Sequence, residues 1–164
     1  MQLHGLIHQF PKEIKILIIA FITVLSIGFY GGLRFVNSTT AMQTSGIESH
    51  YLGNENDEDA EIMQFKKSER EILTVVHNHI LSLSIIFFLL SLLVSTTSLP
   101  KKLKYFLMIE PFFSIVFTFG GIYFLWSGIL WFKYIIIISG VFMTLSFVGA
   151  TLSIIYQLLF SKKI

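Results

Sequence analysis

The chain has 164 residues, of which 54 % are hydrophobic, 17 are phenylalanine and only 13 % are charged; its mean hydropathy is +0.73. A soluble domain of this length cannot bury so much apolar surface, so the composition excludes one and indicates a membrane protein. The absence of cysteine excludes disulfides, thiolate metal sites and iron–sulfur ligation, and a net charge of +2 without a continuous basic face leaves no footprint for nucleic acid.

Four tracts are long enough to cross a hydrocarbon core, which takes about 20 apolar residues as helix. They are Ile14 to Val36, Ile72 to Thr97, Leu103 to Trp126, and Phe132 to Phe160. Backbone polar groups in lipid must be paired within the segment, and these runs do not alternate, so helices are expected rather than a barrel. The first tract follows Pro11, Lys12 and Lys15 like a signal peptide. It is longer than a typical signal core, however, and "FYGGLRFV" offers no small-residue cleavage pattern, so a retained helix starting at Pro11 is expected. Gly28, Gly31 and Gly32, with Gly120 and Gly121 in the third tract, predict close helix approach. Arg34, near the end of the first tract, either snorkels to lipid headgroups or pairs with Glu69 or Glu71.

The connection over residues 37–71 holds eight acids (Glu48, Glu55, Asp57, Glu58, Asp59, Glu61, Glu69, Glu71) against Lys66, Lys67 and Arg70. Lys12 and Lys15, Lys101, Lys102 and Lys104, and Lys162 and Lys163 fall in the other polar segments. The positive-inside rule therefore places both termini in the cytoplasm of a cell inner membrane and the acidic connection outside, with Lys133 alone against this orientation. The acidic run from Glu55 to Glu61 lacks the glycine of a calcium loop. Gly46 and Gly53 bracket "IESHYL", which predicts two turns around a short ordered piece.

Ser68-Glu69-Arg70-Glu71 fits a capping box, so the second helix is expected to start in water. His77 would then lie roughly 13 Å along it from Ser68, at the membrane boundary, and His79 about 200° around the helix from His77. The two cannot ligate one metal from the same face. Three readings remain for them: interfacial polar residues; ligands of zinc, copper or haem b together with His50 and nearby carboxylates; or proton exchange with a redox partner such as a quinone. A haem needs facing axial ligands, and spans 1, 3 and 4 contain no histidine, while His4 and His8 belong to the opposite end. His50, or a methionine among Met42, Met63 and Met143, would have to complete it.

Glu110 is the sole acid inside a span, a placement that costs about 3 kcal/mol if ionised at mid-depth. It is expected to handle protons or to be reached by Lys104 and Lys101. Pro111 removes the hydrogen bond to the Leu107 carbonyl and loosens that turn. Ser139, Ser146 and Ser153 recur every seven residues in the fourth span and predict a packing seam, inside the bundle or against a partner.

"HYLGNE", followed by "KKSEREIL" and "VVHNH", is similar over about residues 46–90 to small four-span bacterial inner-membrane proteins with an H-x-H start to the second helix. That resemblance implies architecture and brings no activity.

The expected fold is thus an all-α membrane protein: a single domain over residues 1–164, an up-down bundle of four transmembrane helices with one ordered extracytoplasmic loop. No nucleophile with its base, phosphate-binding loop or nucleotide motif is present, so no catalytic residue is assigned. Two functions compete. One is an accessory or interaction subunit that meets a membrane-protein partner, or another copy of itself, through the outer loop and the start of the second helix. The other is a redox protein holding haem or a metal on His50, His77 and His79.

Overall fold

The computed structural model describes residues 6–55 and 62–160. His4, Lys162, Lys163 and the acidic run beyond Glu55 lie outside these residues. The described residues are helical, with no strand among them. A 3-10 turn at Ile7–Gln9 precedes α1 (Lys12–Thr40), α2 (Thr44–Leu52), α3 (Glu69–Ser95), α4 (Lys101–Ile115), a π-helical turn (Val116–Gly120), α5 (Gly121–Trp126) and α6 (Phe132–Phe160). Four helical stretches are long and apolar enough to cross a membrane: α1, α3, the continuous stretch from α4 to α5, and α6. The protein is a multi-pass membrane protein.

Local chemistry explains the boundaries. Pro11 sits at the N-cap of α1 rather than inside it. The α1 helix runs four residues past Val36, because Ser38, Thr39 and Thr40 fold their hydroxyls onto the Phe35 and Val36 carbonyls at 2.8 to 2.9 Å. It ends in Ala41 and Met42, both left-handed with φ of 50° and 54°, the conformation that closes many helices. At α3 the capping box forms as expected: the Glu71 backbone N–H donates to Ser68 Oγ at 3.3 Å, and the Ser68 backbone N–H donates to Glu71 Oε2 at 2.8 Å.

The core is a bundle of three membrane-spanning segments, in which α3 packs on α4 and α6, and α4, the π-turn and α5 pack along α6. Phe87, Leu90, Ile115, Leu125, Phe147 and Ile154 form its centre, each at most 3 % exposed. Inside lipid such burial removes no water, so the stabilisation comes from close packing. Gly121 allows that approach, since a Cβ there would lie 3.0 Å from Ile136 Cγ1. Gly28, Gly31, Gly32 and Gly120 do not, having no heavy atom within 4 Å of such a Cβ. The expected close approach therefore fails at those four glycines.

The α1 helix is peripheral. It meets α6, where the Phe29 ring stacks on Phe147 at 3.9 Å, and it leads into α2. Of its most apolar 18 residues, 11 % are buried, against 44 % for the third span, so most of its surface is left to lipid.

The short ordered piece expected between Gly46 and Gly53 is α2, packed against α5 and α6; it closes at Gly53 as expected but begins at Thr44, so Gly46 lies inside the helix and not in a turn. Ile47 is its buried anchor. Four bonds return the chain from α2 to α3: Asn54 N–H to the Gln64 carbonyl at 2.9 Å, Asn54 Nδ2 to the Ile62 carbonyl at 3.0 Å, Gln64 N–H to Asn54 Oδ1 at 2.6 Å, and Lys67 N–H to the Tyr51 carbonyl at 3.1 Å. Trp126 Nε1 donates to the Lys67 carbonyl at 2.8 Å. At the other end of the bundle, Ile7 N–H donates to the Thr96 carbonyl at 2.9 Å, and Gln157 accepts from the Ser98 backbone at 2.7 Å.

Candidate functional site

Two places concentrate polar chemistry. The first is the end of the bundle formed by α2, the segment returning to α3, and the tips of α5 and α6. Lys133, the cation that opposed the expected orientation, donates to Glu48 Oε2 at 2.6 Å and so ties α6 to α2. Arg34 makes neither of the two ion pairs found among the described residues. Its expected partner Glu71 is occupied by Ser68 and Lys67, because the capping box aims that carboxylate back along the chain. Backbone bonds close the loop instead.

The three histidines of this end occupy different surroundings. His50 lies on α2, half-buried, its ring edge-on to Tyr51 at 4.8 Å. Burial first, and then the nearby Lys67 charge, lowers its pKa below the ordinary 6.5. Burial also pushes the neighbouring Tyr51 hydroxyl up to about 12. His77 is exposed beside Glu69, Arg70, Leu73 and Thr74. His79 turns the other way and stacks on Phe119 of the π-turn, with ring centroids 4.6 Å apart and 19° between the planes. A carbonyl oxygen only accepts, so in the 2.8 Å contact with the Val75 carbonyl it is His79 Nδ1 that carries a proton and donates. Among the described residues, no group of three or more His, Asp or Glu side chains could hold a metal ion.

A pH response follows from His50. Its folded-state pKa is depressed, so above 6.5 its contribution to stability is fully present. As pH falls from 6.5 through the folded value, the unfolded chain takes up more protons and that stability is lost. Thermal unfolding in detergent at pH 7.5 and 5.5 should therefore show a larger loss for the wild type than for His50→Gln; equal losses would contradict this.

The second polar place lies inside the membrane. Glu110 on α4 is met on its two carboxylate oxygens by two hydroxyls: Ser114, one turn further along, and Ser146 of α6. The lysines expected to reach it point elsewhere. Lys104 Nζ bonds the Ser95 and Thr97 carbonyls at 3.2 and 2.5 Å, where the carbonyls ending α3 attract a cation, and Lys101 lies over the Tyr105 ring at 5.9 Å. Two turns on from Glu110, Thr118 meets Ser139 at 2.7 Å. Both Ser139 and Ser146 are buried, at 6 % and 1 % exposure. Two of the three seam serines, Ser139 and Ser146, therefore lie inside the bundle with their hydroxyls facing the polar stripe of the third span, while Ser153 is half-buried. Glu110, Ser114 and Thr118 recur every fourth residue opposite Ser139 and Ser146, a complementarity for which the four-residue spacing in the third span is the signal in the sequence.

A model of the Aq_1264_TM family, a transmembrane helical domain, matches residues 41–164. The chain belongs to this family. No curated protein and no solved structure matches it. The Aq_1264_TM match starts at Ala41, the left-handed residue that closes α1. The family domain thus comprises α2, the three-segment core and both polar sites, and α1, the least packed helix, stands outside it.

Proposed function

We propose that this Aq_1264_TM protein is an accessory or interaction subunit of a bacterial inner-membrane complex. In this reading it sits with both termini in the cytoplasm and presents the α2 end of the bundle outside. The distribution of lysine and acid supports that orientation, and the pairing of Lys133 with Glu48 removes the one charge against it as a free cation. The observation that carries the reading is a contrast at the α2 end. The segment returning to α3 is tied at Asn54, Gln64 and Lys67, yet it leaves Ile62, Met63 and Phe65 exposed at 73 %, 61 % and 66 %. Large apolar side chains held outward on an ordered frame suit a docking surface.

Replacing these residues together (Ile62→Ser, Met63→Gln, Phe65→Ser) should release the protein from its complex on native gels while its unfolding temperature stays within about 2 °C of wild type, as expected for surface changes. Retention in the complex would refute the docking role of this segment.

The alternative, a haem- or metal-binding redox protein using His50, His77 and His79, draws support from His79. Its Nδ1 proton is held by a carbonyl, the orientation in which imidazole presents Nε2 to a metal. A reduced-minus-oxidised spectrum with elemental analysis of the purified protein tests it. A Soret band, or near-stoichiometric zinc or copper that disappears in His79→Ala, would favour this reading; a colourless, metal-free protein would discard it.

A further inference from the structure

A lipid-facing groove of about 360 Å³ lies between the third span and α6, lined by Phe106, Phe113, Phe117, Phe142, Ile135 and Ile138, with Glu110, Ser114 and Ser139 along its floor. The four phenylalanines are between 44 % and 61 % exposed, so nothing from the described residues covers the opening. Glu110 lies roughly 13 Å along the helix from Lys101, well inside the hydrocarbon region.

The groove joins three features. Its lining includes Glu110, the one acidic side chain within the four apolar tracts, and that carboxyl takes part in neither ion pair found among the described residues. Ser114 and Ser146 each donate one hydrogen bond to it, one per oxygen. Both oxygens are thus held, and a cation beside them would be met by charge rather than by a further hydrogen bond. Its walls are aromatic, and aromatic faces attract organic cations, more strongly when water is excluded. A small hydrated cation would have to shed its water to reach this place from lipid. A cation wrapped in apolar groups would not.

We propose that the Glu110 groove is a binding site for lipophilic organic cations, hydrophobic ammonium or phosphonium compounds that enter sideways from the bilayer. The Glu110 carboxyl, ionised when a cation is bound beside it, supplies the charge partner, Ser114 and Ser146 fix its orientation, and the phenylalanines enclose the apolar substituents. The site is independent of the docking surface at the α2 end. The π-turn from Val116 to Gly120 follows it directly and carries Phe117 into the lining, which fits the frequent occurrence of such turns at functional sites.

The test uses the full-length protein in nanodiscs of zwitterionic lipid, with radiolabelled tetraphenylphosphonium as the probe. The wild type should show a saturable component. Glu110→Gln, which keeps the shape, removes the charge, and can still accept from one serine while its amide NH2 donates to the hydroxyl oxygen of the other, should weaken it at least tenfold. Phe142→Trp, which fills the groove and leaves the carboxyl in place, should also weaken it at least tenfold, and it decides the matter if Glu110→Gln fails to fold. Tetraphenylborate, the anion of the same shape, should show no saturable binding. Saturable tetraphenylphosphonium binding that survives both substitutions, its absence from the wild type, or equal binding of the anion would each overturn the proposal.

Discussion

Replacing Gly46 with alanine should push α2 off the end of α1. A Cβ at this position would lie 2.0 Å from the Thr40 carbonyl oxygen and 2.6 Å from its carbon. Both are backbone atoms, and Thr40 cannot yield easily: it is buried, its hydroxyl bonds the Val36 carbonyl at 2.8 Å, and the Met42 N–H donates to that same hydroxyl at 3.2 Å. Overpacking against so fixed a neighbour costs about 3 kcal/mol or more. The displacement would strain the Lys133 contact to Glu48 and the Lys67 bond to Tyr51, because both depend on where α2 sits. Gly53→Ala should act in the same direction, since φ is +84° there and a Cβ would fall 2.7 Å from the Lys66 nitrogen. The expected result is faster proteolysis within residues 41–67 and a lower unfolding temperature, with Gly31→Ala as the control because its surroundings are open. Proteolysis unchanged in Gly46→Ala would mean that α2 is not seated on Thr40.

The second large effect belongs to Phe147. Its ring, 3 % exposed, stacks on Phe29 of α1 at 3.9 Å and meets Phe87 of α3 edge-on at 6.2 Å. One side chain on α6 thus joins the peripheral helix to the core. In soluble proteins, truncating a buried phenylalanine to alanine costs about 3 to 5 kcal/mol. Within lipid the water-exclusion part of that figure is missing and the lost packing remains, so Phe147→Ala should cost about 3 kcal/mol. The midpoint of reversible unfolding in sodium dodecyl sulfate should fall accordingly, and α1 should become susceptible to protease at its junction with α2. Phe124→Ala, at a position 45 % exposed, is the control. Equal midpoints for the two variants would remove Phe147 from its place as the link.

The parts of the fold legible in the sequence were those set by uninterrupted hydropathy and by local capping. The four spans stand within a few residues of where the apolar tracts put them, and the fourth coincides with α6. The capping box at Ser68 and Glu71 formed because both of its bonds lie within four residues of each other. What was not legible depended on longer reach. The α1 helix continued through Asn-Ser-Thr-Thr because hydroxyls bonding back to carbonyls let polar residues extend a helix. The α2 helix has little amphipathic pattern of its own and is held by packing of Ile47 and by Glu48 on α6. Lys101 and Lys104 are the charges nearest to Glu110 in sequence, whereas its partner across the bundle is Ser146, 36 residues on. The seven-residue serine spacing was visible, and it was the facing stripe of Glu110, Ser114 and Thr118 that gave it a direction.

The proposed subunit role requires the α2 end to meet a membrane-protein partner. Photo-crosslinking in intact membranes tests it most directly, with benzoylphenylalanine placed in turn at Phe65, Met63 and His77, and at Phe113 as the lipid-facing comparison. One protein adduct of the same size is expected from Phe65 and Met63, and none from Phe113. Adducts with lipid alone from every position would contradict it.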